Sequence, residues 1–222
     1  VISFENQTGD KALDNLRNSI PGFLITSLEQ LKFFQVITRE RTHDILKQMG
    51  KKEVDYIDRD LGMEICRRER VDAMIVGSYT RAGDLYVTDL KVLDAATFQP
   101  IGKGVRTNGK GVESILLTQV DELAKEISRG LGVSRIGTGQ SLKPVTDITT
   151  KSMEAYQLYQ RGWDQREKYY WTEASRCFEL AVQKDSLFLA AWMELAQVRS
   201  GALGDKAGGS AAWGKVLSLA DR

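Results

Sequence analysis

Apolar residues recur at helical spacing through Leu13, Leu16, Ile20, Leu24, Leu28 and Leu31. The stripe keeps its phase across Pro21, which predicts one long kinked helix. Residues 1–4 ahead of it read as a short apolar strand, closed by the turn-like Glu5-Asn6-Gln7-Thr8-Gly9-Asp10. Residues 34–37 predict a second strand, followed by a helix through Ile45, Leu46 and Met49 that Gly50 stops, and another helix over about 57–70. The period then changes. Residues 73–79 form a continuous apolar run, as in a strand covered on both faces, and 85–93 alternate like a half-buried antiparallel strand. Turns at 81–84 and 94–100 separate these from a shorter strand at 101–106. A helix over 111–131 should bury Ile115, Leu116, Val120, Leu123, Ala124 and Ile127. The fold class expected is α/β, a mixed sheet of roughly five strands with helices, followed by an all-α helical-hairpin domain.

Periodicity stops in the stretch rich in Gly, Ser and Thr that contains Pro144. It divides the chain into a first domain over 1–134, a linker over 135–150 and a helical part over 151–222. Helices are expected at 153–168, 171–184, 187–200 and, more weakly because of Gly208, Gly209 and Gly214, at 206–220. Leu158, Gly162, Ala174, Phe178 and Ala181 set out a large residue, a small crossing residue and a small–aromatic–small stripe. A step of about 34 residues puts Trp192, Leu195 and Ala196 at the corresponding places of a second copy. This pattern resembles a tetratricopeptide repeat, about two copies of it. Such repeats stack into solenoids that hold partners in a groove, so the resemblance implies an adaptor or sensor. The abrupt apolar start and the weak last helix predict a chain that continues at both ends.

The composition, 42% hydrophobic and 27% charged over 222 residues, is that of an ordinary globular chain. A net charge of +1 leaves no basic surplus for neutralising phosphates, so no nucleic-acid partner is expected. Arg67-Arg68-Glu69-Arg70 reads as the solvated end of a helix. No apolar run reaches membrane-spanning length, so this segment is not expected to insert directly. Cys66 and Cys177 read as small buried hydrophobes, with a disulfide or reactive thiol as the alternative. One histidine, His43, and two scattered cysteines predict no metal site, and no cofactor is expected.

The first domain carries family-like motifs. Ile2-Ser3-Phe4-Glu5-Asn6-Gln7-Thr8-Gly9-Asp10 resembles the opening of TolB amino-terminal-like and CsgG-like domains, with Ser3 where proline is usual. The run from Phe34 to Arg41 is similar to that family's second strand and helix start, and the run from Val71 to Tyr79 to its apolar strand ending in Gly-Ser. Val92-Leu93-Asp94-Ala95-Ala96-Thr97 is similar to its Asp-Ala turn, with Phe98 in place of glycine. The pairing with helical repeats is similar to bacterial architectures in which both follow a kinase, cyclase or winged-helix module, often membrane-associated. The resemblance implies an accessory, sensory or scaffolding role. It leaves both the extracytoplasmic and the cytoplasmic side open, and it brings no catalytic residues.

Candidate chemistry is sparse. No nucleophile-elbow motif accompanies His43. Gly137-Thr138-Gly139-Gln140-Ser141-Leu142-Lys143 follows a helix and runs into Pro144, so it is expected to be a linker and not a phosphate cradle. Gly102-Lys103-Gly104 fails the same test, and Asp58 with Asp60 should serve a helix N-terminus. Asn6, Thr8 and Asp10 follow a strand and precede a helix, where open α/β sheets place ligands, so they are a candidate ligand loop, with capping as the alternative. The leading candidate surface is the inner face of the helical repeats: Tyr156, Tyr159, Trp163 and Arg166, then Ala190, Met193, Gln197 and Ser200. Aromatics and arginine dominate protein-binding hot spots. The alternative is that Tyr156, Tyr159 and Trp163 pack against the first domain or the linker. The function expected is a non-catalytic protein-interaction or sensor region of a larger bacterial signalling protein. A small-ligand sensor or an envelope assembly component is the alternative.

Overall fold

The computed structural model describes residues 1–31, 35–51, 54–131 and 142–220. Two compact units divide the chain, Val1–Val145 and Thr146–Arg222.

The first unit is built on a four-stranded sheet in the order β1-β2-β3-β4. β1 (Glu5–Asn6) runs parallel to β2 (Ala73–Ala82), with Glu5 opposite Ser78 and Asn6 opposite Tyr79. β3 (Leu85–Asp94) pairs antiparallel with β2 along its whole length, and β4 (Val105–Lys110) pairs antiparallel with β3. Strand alternation sorts the core. Met74 and Leu93 form one cluster with Cys66 of α3 (Arg59–Glu69), while Tyr79 points the other way, its hydroxyl donating to the Leu13 carbonyl at 2.7 Å. Helices α1 (Leu16–Glu29) and α4 (Val120–Gly130) pack on one another and bury Leu16, Ile20, Phe23, Leu24, Val120, Leu123 and Ala124 completely. Helix α2 (Arg39–Gln48), capped by the Thr38 hydroxyl accepting from Arg41 N–H, joins α3 through Ile45, Leu46 and Ile65.

Three local devices hold β1 in place. Pro21 has no N–H for the Arg17 carbonyl one turn earlier, and the Phe4 N–H donates to that carbonyl at 2.8 Å. The helix runs unbroken through the proline while the freed acceptor is used by the neighbouring segment. Gly77 lets the fully buried Phe4 ring cross β2, since a Cβ there would lie 2.3 Å from that ring. Ser3 donates to the Asn18 carboxamide oxygen at 2.8 Å and accepts from Ile57 N–H at 2.9 Å, so the serine ties strand, helix and following loop together.

Three strand expectations are corrected. The strand expected at 1–4 is displaced to Glu5–Asn6, the first two residues of the expected turn. The sheet has four strands among the described residues, where five were expected. Residues 35–37 belong to no strand, and lie beside Ile2, Ile65, Met74 and Ile127 around a cavity of about 610 Å³; Phe34 lies outside the described residues. A short segment such as Phe34-Gln35-Val36-Ile37, with three apolar residues in four, reads as a strand whether or not a ladder partner exists, which is why the pattern misleads. The last strand is displaced from 101–106 to Val105–Lys110. Asp94 accepts from Ala96 N–H, Thr97 N–H and Thr97 Oγ1 to close a turn, and Gly102 at φ +73° carries the chain outward before pairing resumes. Phe98 stands in the left-handed region at φ +58°, at the place where the resembled pattern has glycine. Its ring lies under the Arg67 guanidinium at 5.6 Å.

The helix expected at 111–131 begins as a wide π turn (Ile115–Gln119) that continues into α4, with all six anticipated positions buried. Buried Gln119 donates to the Tyr86 carbonyl at 3.2 Å and accepts from Thr107 Oγ1 at 3.3 Å, which fixes this turn to the sheet. Of the expected linker, residues 135–141 lie outside the described residues, and with them most of the Gly137–Lys143 loop. Residues 142–145 are bound to the first unit: Gln30 exchanges two hydrogen bonds with the Lys143 backbone, and Val145 N–H donates to Asp121. A short helix, α5 (Val145–Ile148), spans the boundary between the units.

The second unit is helical: α6 (Met153–Glu167), α7 (Trp171–Lys184), α8 (Leu189–Gln197) running into a π turn at Val198–Ala202, and α9 (Lys206–Ala220). Each of α6 to α9 packs on the next. Gly162 is the crossing point of α6 and α7, because a Cβ there would meet the buried Phe178 ring at 2.5 Å. Ala174, Phe178, Ala181, Ala191 and Ala196 are fully buried and Leu195 nearly so, whereas Leu158 is half-buried. The 34-residue step lapses in α9. Buried Ala212 and exposed Lys215 fall where Phe178 and Ala181 would repeat.

Candidate functional site

The candidate surface is built on α6 and α8. Ser152 starts α6 by accepting from Ala155 N–H at 3.1 Å, which sets the phase that the aromatic residues follow. Tyr156 is buried against Phe188, stacked at 6.4 Å between ring centroids. Tyr159 lies 4.9 Å from the Phe188 ring and 5.8 Å from Phe178. These two tyrosines therefore belong to an aromatic cluster inside the second unit and fill the space between α6, α7 and the start of α8.

Trp163 and Arg166 sit one turn further along α6 and remain half-buried. The Arg166 guanidinium lies over the Trp163 ring at 4.4 Å and its Nη1 donates to Glu194 Oε2 at 2.6 Å, across to α8. Glu194 is 8% exposed, an acid placed within an apolar helix of Ala, Trp, Met and Leu. Composition gave no hint that it would pair with a residue 28 positions earlier; its isolation among apolar neighbours was the one available signal. Met193 and Gln197, one helical turn apart, are exposed beside it. The structure thus joins Trp163, Arg166 and Glu194 into one polar–aromatic wall, with Met193 and Gln197 on its α8 side. Ala190 is half-buried and Ser200 exposed.

The loop containing Asn6, Thr8 and Asp10 is internally saturated. Asn6 Oδ1 accepts from the Thr8 N–H at 3.0 Å and Thr8 Oγ1 at 2.7 Å, and its amide donates to Asp10 O and Asp14 Oδ1. Asp10 caps the short turn Lys11–Leu13 by accepting from Ala12 N–H. Such a network orders the exit from β1 and leaves few groups facing outward.

Other reactive types are dispersed. His43 is half-buried on α2, and Asp58 caps α3 by accepting from Leu61 N–H at 2.8 Å, with Asp60 in its first turn. Cys66 is buried and Cys177 half-buried, both free, and burial pushes both thiols up, away from thiolate chemistry. Among the described residues no group of three His, Cys, Asp or Glu side chains is placed to hold a metal ion, and no helix is long and apolar enough to cross a membrane.

Comparison with protein-family models gave no match, and neither did comparison with curated proteins. Among solved structures, the LpoB C-terminal domain from Salmonella enterica aligns over 49% of this chain and 78% of its own, at 16% identity and a TM-score of 0.37. At that similarity it carries no argument about function.

Proposed function

We propose that this chain is a non-catalytic protein-interaction or sensor region of a larger bacterial signalling or regulatory protein. In this reading the helices after residue 150 are tetratricopeptide-type hairpins, and the α6–α8 face receives a protein or peptide partner. The observation that carries it is the wall of Trp163, Arg166 and Glu194, ordered by a buried ion pair and flanked by exposed Met193 and Gln197. An arginine held over tryptophan and paired with Glu194 has already lost much of its rotamer freedom, so burying the pair against a partner costs little further entropy. In this reading the first unit, with its TolB-like and CsgG-like motifs, is the accessory or sensory domain.

The test is affinity for a partner isolated with the wild-type protein, measured before and after Met193→Glu with Gln197→Glu. Both side chains are exposed, so the fold should persist. A tenfold or greater loss of affinity is expected. Unchanged affinity removes the face from the account.

A further inference from the structure

One end of the sheet face shared with α3 is covered by the cluster of Met74, Leu93 and Cys66. Beyond Val76 the face opens into a cleft of about 620 Å³ that crosses all four strands and is walled by Tyr56 and Arg59. Strand register makes its floor. Glu5, Ser78, Asp89 and Arg106 stand in one row, and Val76 and Lys91 in the next. A cleft of this size matches a small organic ligand.

Its polar groups are unequally engaged. Asp89 is occupied by Arg106, whose Nε lies 2.5 Å from Asp89 Oδ1, and Glu5 accepts from the Gln7 amide. Among the described residues Arg59 and Lys91 form no ion pair and the hydroxyls of Tyr56 and Ser78 make no hydrogen bond, while one face of the Tyr56 ring carries the Arg17 guanidinium at 5.3 Å. The cleft therefore offers spare donors (two cations, two hydroxyls and the outer Arg106 nitrogens) beside Val76, Val105 and the Tyr56 ring. We infer that it binds a small organic anion, a carboxylate or phosphate carried on a flat apolar body, with Arg59, Lys91 and Arg106 holding the charge and Tyr56 and Val76 the body. The cleft adjoins the Asn6–Asp10 loop through Glu5 but uses none of the residues Asn6, Thr8 and Asp10.

Calorimetric titration of the full chain tests this with 1-naphthyl phosphate and 1-naphthoate, which separate phosphate from carboxylate, against neutral 2-naphthol and inorganic phosphate. At least one aromatic anion should bind with a Kd below about 1 mM and at least tenfold tighter than either control. Arg59→Glu with Lys91→Glu should weaken it tenfold or more at unchanged Tm. If that pair shifts Tm, Arg59→Gln with Lys91→Gln is held to the same criterion. Equal binding of 2-naphthol, no binding of either anion, or affinity indifferent to these substitutions overturns the inference.

Discussion

Replacing Gly162 by alanine sets two opposed effects against each other. Alanine inside a helix is favoured over glycine by about 1 kcal/mol. The new Cβ, however, would lie 2.5, 2.7 and 2.9 Å from three carbons of the Phe178 ring. That ring is fully buried and has Tyr159 on it at 5.8 Å, so it has no free volume into which to swing. Overpacking of this kind costs about 1–3 kcal/mol, and the helices must separate to relieve it. The clash outweighs the propensity gain, and the net loss is up to about 2 kcal/mol. For a unit of this size each kcal/mol moves Tm by about 4–8 °C, so thermal unfolding followed by circular dichroism at 222 nm resolves it. Gly214→Ala in α9 is the internal control, since nothing lies within 4 Å of its would-be Cβ and stabilisation by up to about 1 kcal/mol is expected. Phe178→Leu added to Gly162→Ala should cost less than the two changes summed, because the smaller side chain yields room. If Gly162→Ala stabilised as much as Gly214→Ala, the crossing of α6 and α7 described above would be wrong.

Other consequences follow from named contacts. Arg166→Ala leaves the largely buried Glu194 carboxylate without its cation and should cost about 2–3 kcal/mol in urea unfolding, with Glu194→Gln milder than Arg166→Ala. Gly77→Ala would drive a methyl to 2.3 Å from Phe4 and 2.7 Å from the Asp89 carbonyl, so the first unit should lose at least about 3 kcal/mol, read by hydrogen exchange at β2. Hydrogen bonds from Thr97 and Ala96 hold the Asp94 carboxyl below its ordinary 3.8. Its contribution to stability is therefore complete above that ordinary value and is lost as pH falls through the depressed one; Asp94→Asn should flatten this part of the acid-unfolding profile.

The parts legible in the sequence were those with long period. Of the six apolar positions at helical spacing, four fall in α4 and two in the π turn that leads into it, and the alternation of 85–93 placed β3, because each pattern is repeated often enough to exclude other periods. β4 was not legible: Thr107-Asn108-Gly109-Lys110 is polar, and only its register with β3 makes it a strand. The candidate wall divided in the same way. Trp163 and Arg166 stand where helical phase put them, whereas Tyr156 and Tyr159 proved to be held by Phe178 and Phe188, a contact set by how α7 and α8 return. Glu194 was missed because a salt bridge across helices has no periodic signature, only an acid isolated among apolar neighbours. The anion cleft was equally hidden, since strand register and not sequence proximity brings Lys91 beside Arg106.

Photo-crosslinking in the native host tests the central claim most directly, with a photoreactive residue placed singly at Met193, at Gln197 or at exposed Gln183 on α7. Discrete protein adducts from 193 and 197, with none from 183, are the expected result. Adducts that appear equally at all three positions, or only at 183, would contradict an α6–α8 partner face.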